Sequence, residues 1–192
     1  MDYMKHLDHF DVIAPIYDKL IRTPQKWNLM KLANLPTNGL LLDVGGGTGR
    51  VSEALENCAS KVIVADLSFE MLIRARVNKG LLAVCAQAEK MPFPDDSFDR
   101  IIMVDALHHV YSQKNSASEL WRLIKPNGRI IIEEPNIEKL SVKIVALLEK
   151  LAFMRSHFLS PAEIAQLFKF PKAQIEIVKE GYNSWVLIDK IL

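Results

Sequence analysis

Short apolar runs, most of them ending at an acidic residue, alternate along the chain with amphipathic stretches. The first run, residues 40–42, is three consecutive leucines, which is typical of a strand covered on both faces in a parallel sheet. Beyond it, apolar residues recur three and four positions apart at Val51, Ala54, Leu55 and Cys58, as in a helix that packs on a sheet. The pattern therefore predicts a strand, a tight turn and a helix.

The same alternation continues to the end of the chain. Further strands are predicted at Lys61–Asp66, Leu81–Cys85, residues 100–105 and residues 130–135, and then at residues 174–179 and 184–191, which a turn at Gly181 joins. Helix starts are predicted at Thr23-Pro24, at Ser68, and at two sites with capping residues, 116–119 and 160–163. Apolar residues at helical spacing from Leu140 to Leu151 predict a further helix. A turn is predicted at residues 125–129.

Composition and charge narrow the classes of partner. The 192 residues suffice for one substantial core, and 24 basic against 23 acidic residues leave a net charge of +1, so no nucleic-acid or anionic-membrane partner is predicted. Cys58 and Cys85 are expected to be small buried hydrophobes of a reducing compartment. The first ten residues lack the apolar core of a signal peptide, and charges interrupt the apolar stretch 140–158, so we expect a cytoplasmic protein without a membrane span.

The glycine cluster after the first strand is the most informative motif. A dinucleotide-binding fingerprint would need glycine at position 50 or 52, where the chain has Arg50 and Ser52. A phosphate-binding P-loop would need lysine and then serine or threonine after Gly49, and neither is present. The remaining pattern is Asp-x-Gly-x-Gly-x-Gly, formed by Asp43, Gly45, Gly47 and Gly49. A glycine-rich turn without a ligand is the alternative.

This turn resembles the first motif of class I S-adenosylmethionine (SAM) dependent methyltransferases, and later segments follow that family's order. The chain is most similar to the ubiquinone/menaquinone C-methyltransferase-like branch, methyltransferase type 11. The resemblance implies an α/β fold, namely a Rossmann-like three-layer sandwich with a seven-stranded, mostly parallel sheet and a C-terminal antiparallel hairpin. It also implies one domain over residues 1–192, with a helical segment at 1–36 over the active site and lid helices at 136–170.

The resemblance assigns SAM as the cofactor, with S-adenosylhomocysteine (SAH) as product, and places the cofactor along four segments. Asp66 lies about twenty residues after the first glycine, where nucleotide-binding sheets hold ribose hydroxyls; its alternative role is to cap the next helix with Ser68. Gln87 stands where the family usually has aspartate, so its bond to the adenine amino group should be weaker. The implied cofactor-binding residues are Asp43, Gly45, Gly46, Gly47, Gly49, Asp66, Leu67, Gln87, Ala88, Glu89 and Asp105.

Three residues are candidates for catalysis. His108 and His109 follow the fourth strand, and open α/β sheets bind ligands outside the carboxyl ends of their strands. Tyr17 lies in the N-terminal segment that folds over the cofactor in the resembling branch. For each, ordinary packing or capping is the alternative. Adjacent histidines diverge and lack nearby partners, so no metal is predicted. Glu133 and Glu134 fit either the same cleft or a solvated turn.

The reaction implied is in-line transfer of a methyl group to an unidentified small-molecule acceptor, apolar or aromatic in character. The chain lacks the Asn/Asp-Pro-Pro-aromatic loop of methyltransferases that act on nucleobase amines. A SAM-binding regulatory or assembly module without turnover is the alternative. A nicotinamide oxidoreductase is disfavoured by the glycine spacing and by the lack of a Tyr-x-x-x-Lys pair. The oligomeric state is left open.

Overall fold

A computed structural model describes residues 26–77, 81–140, 142–143 and 156–192. Seven strands form one sheet in the order β3-β2-β1-β4-β5-β7-β6, in which β1 to β5 are parallel and β7 is antiparallel to both neighbours. The strands are β1 Leu40–Val44, β2 Lys61–Asp66, β3 Leu81–Cys85, β4 Phe98–Val104, β5 Ile124–Pro135, β6 Ala173–Glu180 and β7 Asn183–Lys190. The sheet confirms the predicted α/β class, including the C-terminal hairpin.

Helices cover both faces of the sheet. They are α1 Lys26–Leu32, α2 Arg50–Ala54, α3 Phe69–Ala75, α4 Gln113–Leu123 and α5 Pro161–Leu167, with short 3-10 turns at Glu56–Cys58 and Leu107–His109. Alternate residues of each central strand enter opposite cores: Leu42 packs with Leu120 of α4, whereas Leu41 packs with Leu29 of α1. Burial on both faces explains why these strands show continuous apolar runs in the sequence.

Two helix boundaries differ from the sequence prediction. The helix expected through Cys58 ends at Ala54 and continues as the 3-10 turn. The capping residues predicted at 116–119 are wrong, because Ser112 is the N-cap of α4 and its side chain accepts a bond from the Asn115 amide. Ser116 is a buried position in the helix, where its hydroxyl bonds the Ser112 carbonyl. The capping box at Ser160 is confirmed.

Strand β5 begins earlier than expected. The turn predicted at residues 125–129 lies inside β5, where the pairing with β4 shifts register between Phe98 and Arg100 and Asn127 has a φ of 63°.

The expectation that both cysteines are buried holds for Cys58 but is wrong for Cys85, which is exposed. Cys85 ends β3, and β3 is an edge strand, so one side of it lacks a covering neighbour in the described sheet.

Some predictions fall on residues outside the described ranges. These are the Thr23-Pro24 helix start, Tyr17 with the rest of residues 1–25, and most of the helical stripe from Leu140 to Leu151. Within the part of the chain that is described, no helix is both long and apolar enough to cross a bilayer.

Candidate active site

The glycine turn connects β1 to α2 and approaches the start of the segment after β4. Gly45, Gly47 and Gly49 have φ angles of 70°, 54° and 77°, a region that side chains with a Cβ rarely adopt. A Cβ on Gly45 would lie 2.5 Å from the Cβ of Ala106, and one on Gly49 would lie 2.9 Å from a Leu81 methyl. Glycine is therefore required here for both conformation and space.

Asp43 lies behind the turn rather than at its surface. The side chain is 1% exposed, and the Ser52 hydroxyl of α2 donates a 2.6 Å hydrogen bond to it. Burial raises the pKa of Asp43 to about 6, with the nearby Asp66 acting in the same direction. A Cβ on Gly46 would come within 2.7 Å of this carboxylate. Asp43 thus supports the turn and, together with Asp105, lines a small cleft.

Asp66 ends β2 and is bonded to Gly47, which lines the same cleft. One carboxylate oxygen accepts the Gly47 amide at 2.8 Å and the other accepts the Ser68 amide at 2.8 Å. Ser68 itself caps α3 by accepting the Met71 amide. The capping interpretation of Asp66 is therefore partly right, but the bond to Gly47 also fixes the carboxylate against the glycine turn. Leu67 follows with 58% of its surface exposed.

Residues 86–93, here called the adenine loop after the implied role, follow β3. Gln87 is exposed and begins a tight turn in which its backbone carbonyl accepts the Lys90 amide at 3.1 Å. Ala88 is partly buried. The Glu89 carboxylate accepts the Ser112 amide at 2.8 Å, which ties the loop to the start of α4. Glu89 thus has a structural bond that its place in the motif did not predict.

Asp105 and the histidine pair follow β4, whose carboxyl end lies beside that of β1. Asp105 has a φ of 51°, and burial together with the Glu134 carboxylate raises its pKa to about 6. Glu134 accepts the Ala106 and Leu107 amides at 3.1 Å and 2.7 Å through one oxygen. Its other oxygen lies 2.5 Å from Nδ1 of the buried His108. The tight turn after β4 is thus built around one buried carboxylate.

His109 lies beside His108 and is uncharged. The two ring centroids are 3.9 Å apart, and burial, with a smaller effect of His108, lowers the pKa of His109 to about 3. Phe158 stacks on His108 with a centroid distance of 4.2 Å, and the Ser156 hydroxyl lies 3.4 Å from Nδ1 of His109. Two residues of the predicted lid region 136–170 therefore contact this pair.

The solvated-turn interpretation of the two glutamates is wrong, since Glu133 and Glu134 are 1% and 3% exposed. Glu133 accepts bonds from Trp185 Nε1 at 2.9 Å and Asn183 Nδ2 at 2.7 Å, and burial raises its pKa to about 7. Sequence reasoning missed the structural use of Glu134. The sequence offered one clue: two adjacent acids end an otherwise apolar strand, and no turn glycine follows them.

The structure brings the glycine turn, Asp66, Asp105 and the histidine pair to one edge of the sheet, at the carboxyl ends of β1, β2 and β4. Binding sites in open α/β sheets lie at this edge, where the strand order reverses between β1 and β4. Tyr17 lies outside the described residues. Among the residues described, no three His, Cys, Asp or Glu side chains are grouped to hold a metal ion.

Comparison with known proteins gives the same family. Residues 42–132, from β1 to β5, match the family described as "Methyltransferase domain". The ubiquinone/menaquinone biosynthesis C-methyltransferase UbiE of Marinomonas sp. is 30% identical over 145 residues, which are 69% of this chain and 58% of that protein. The chain is therefore similar to class I SAM-dependent methyltransferases. Its similarity is to the UbiE type, as the sequence resemblance predicted.

Other members of this methyltransferase family extend the comparison. The demethylmenaquinone methyltransferase of Clavibacter sepedonicus is 34% identical over 139 residues, covering 65% of this chain and 56% of that protein. The chain thus spans a little over half the length of these curated relatives. A SAM-dependent methyltransferase structure from Thermotoga maritima has a TM-score of 0.77 at 21% identity, covering 94% of this chain and 97% of that one, and shows the shared fold. SAM is the cofactor of the family.

The raised pKa of Asp43 predicts a pH-dependent difference in stability. A carboxyl whose pKa rises from 3.8 to about 6 on folding gives the native state extra protons, so its contribution to stability is lost as pH rises through about 6. Asp43→Asn keeps an acceptor for Ser52 but does not titrate. In urea unfolding, the stability of Asp43→Asn relative to the unsubstituted protein should increase from pH 5 to pH 7 and then level off. A constant difference over that range would contradict the assignment.

Proposed function

We propose that this protein transfers the methyl group of SAM to a small aromatic acceptor by in-line displacement. The observation that carries the proposal is the fixed carboxylate of Asp66, which binds the Gly47 and Ser68 amides at the mouth of the glycine turn. Nucleotide-binding sheets place a carboxylate at this strand end to bind ribose hydroxyls, and this is the role proposed for Asp66. The ribose and the glycine turn would then orient one nucleoside ligand.

The residues present fit the two ends of SAM. Toward the adenine, the exposed Leu67 offers an apolar surface, and the side-chain carbonyl of Gln87 can accept a hydrogen bond from the exocyclic amine. Toward the methionine half, a turn with three glycines of positive φ exposes backbone instead of side chains. Asp43 and Asp105 line the cleft there, and both have raised pKa values. A cation placed beside them would lower these pKa values, because it favours the ionised carboxylates.

SAM, when bound, supplies both an electrophilic methyl group and its own leaving group. The chain therefore has to orient the acceptor and exclude water, which can contribute several kcal/mol of the roughly 7–11 seen in ideal intramolecular reactions. His109, with a pKa of about 3, is a weak base at neutral pH, so its role is to accept a hydrogen bond from an acceptor hydroxyl. Glu134 holds His108 beside it. Tyr17 is proposed as a further wall of this space.

The rings at the site and the names of the relatives support an aromatic acceptor. Phe158 and His109 are partly buried flat rings that both contact the buried His108 ring at the end of β4, and they suit a planar aromatic molecule. The relatives are named for ubiquinone and menaquinone biosynthesis and for demethylmenaquinone. A reduced quinone ring, methylated on carbon, is therefore the first acceptor to test.

Two measurements test the function. Calorimetry with SAM, SAH and NAD should show binding of SAM and SAH and none of NAD; the reverse would overturn the proposal. Labelled SAM should then be incubated anaerobically with 1,4-naphthohydroquinone, a phenol and a small thiol, and label is expected on the naphthohydroquinone. Firm SAM binding with no transfer to any of them would instead favour a binding module without turnover.

Asp66→Asn tests the ribose contact. The amide replaces one carboxylate oxygen by a donor, so one of the two amide contacts and the charge-assisted ribose bonds are lost. Hydrogen bonds to charged groups contribute about 1.5–3 kcal/mol each, so SAM affinity measured by calorimetry should fall about tenfold to a hundredfold. Glu138→Gln, at an exposed ion pair with Lys179, is the matched control and should bind SAM normally. Equal affinities in both variants would argue against a ribose contact.

A further inference from the structure

Helix α4 is attached to both sides of the proposed site. On the adenine side, Glu89 accepts the Ser112 amide at 2.8 Å, and Glu119 of α4 accepts the Met91 amide at 2.7 Å. Arg122, one turn further along, donates to the Phe93 carbonyl at 2.9 Å. The adenine loop is therefore fixed to α4 at the helix start and again near its end.

On the acceptor side, the side chain of the first residue of α4 donates two hydrogen bonds from a single amide group. The side-chain amide of Gln113 donates to the Leu107 carbonyl at 3.2 Å and to the His157 carbonyl at 2.6 Å. The His157 amide in turn donates to the His108 carbonyl at 2.8 Å. Residues 156–159, here called the return segment, are thus held against the turn that carries the histidine pair.

The return segment supplies part of the acceptor wall. Phe158 stacks on His108, and the Ser156 hydroxyl approaches His109. A glutamine amide carries two N–H donors and a glutamate carboxylate carries none. The chemistry of position 113 therefore decides whether this segment can be held by α4.

We propose that Gln113 is a positioning residue that couples the adenine loop to the acceptor wall. Binding of the adenine steadies residues 86–93, the bonds of Glu89 and Glu119 pass this order to α4, and Gln113 passes it to the return segment. Cofactor binding thereby steadies the acceptor wall, which favours binding of SAM before the acceptor. This inference rests on the proposed function, because it takes SAM to be the ligand of the adenine loop.

Gln113→Glu is the test variant. It keeps the size of the side chain, removes both donors and places a negative charge in the first turn of α4, where charge of this sign is favourable to a helix. Asn115→Asp is the matched control, because it makes the same amide-to-carboxylate change at an exposed position in the same turn. Each protein is followed by amide hydrogen exchange with and without SAH.

In the unsubstituted protein and in Asn115→Asp, SAH should slow exchange of residues 86–93 and also of the His157 amide. The change at His157 should be about tenfold, which lies in the usual range for coupled sites. In Gln113→Glu, SAH should still protect residues 86–93 but change His157 by less than about twofold. A purely structural role would lower His157 protection equally with and without SAH.

The outcomes separate the two proposals. Protection of residues 86–93 with an unchanged His157 response in Gln113→Glu, or with no response in the unsubstituted protein, would overturn the coupling and leave the proposed function standing. Absence of any SAH protection at the glycine turn and at residues 86–93 would overturn the proposed function and the coupling together.

Discussion

Replacing Glu134 by alanine is expected to lower the free energy of unfolding by about 3–5 kcal/mol, because Glu134 is the shared acceptor of three buried hydrogen bonds. The substitution leaves the Ala106 and Leu107 amides and the Nδ1 of His108 without the acceptor that they share. Each buried donor that loses its acceptor costs about 1–3 kcal/mol, which is consistent with the expected loss of stability. Chemical unfolding monitored by circular dichroism measures the effect.

Glu134→Gln separates the loss of the acceptor from the loss of charge. Its carbonyl can still accept the two backbone amides, while its NH₂ group faces His108 and requires the tautomer in which Nδ1 is the acceptor. We expect a smaller loss of stability than in Glu134→Ala and a change in the ¹⁵N shifts of the His108 ring. If Glu134→Ala were as stable as the unsubstituted protein, the network around this carboxylate would not hold the turn after β4.

Replacing Gly45 by valine is expected to abolish SAM binding, with a loss of affinity of more than about a hundredfold. Its φ of 70° makes a branched side chain strained by about 1–2 kcal/mol. Its Cβ would lie 2.5 Å from Ala106, so the turn must move away from the segment after β4, and such overpacking typically costs a further 1–3 kcal/mol. Calorimetry with SAM measures the loss.

Gly181→Val is the control for this substitution. Gly181 has a similar φ of 59°, but a Cβ there meets no atom within 4 Å, and the residue lies in the β6–β7 turn. This variant should lose about 1–2 kcal/mol of stability from strain alone and bind SAM normally. SAM binding by Gly45→Val at ordinary affinity would show that the turn does not contact the cofactor.

The sequence predicted the sheet well because its strands are buried on both faces and so appear as continuous apolar runs. It predicted less about where elements begin. Ser116 and Ser112 are both good caps in isolation, and only the packing of α4 on the sheet selects Ser112. Likewise, Cys85 belongs to a β-rich run, and its exposure depends on β3 lying at the edge of the sheet.

The candidate site was predictable to the extent that it is a motif. The glycine spacing and Asp66 indicate a nucleoside ligand from local sequence alone. Glu134 and Gln113 gave no such indication, because the bonds of Glu134 with His108 and of Gln113 with His157 join residues 26 and 44 positions apart. Side chains of this kind are recognised only after the strand order has brought their partners together.

The buried carboxylates behind the glycine turn have a consequence for turnover. Asp43 and Asp105, which line the cleft at this turn, have raised pKa values chiefly because burial disfavours their charged forms. A sulfonium cation beside them would be attracted, whereas the thioether left after methyl transfer is neutral and would not. In the proposed complex, such a cleft would therefore favour the charged cofactor over the neutral product of methyl transfer.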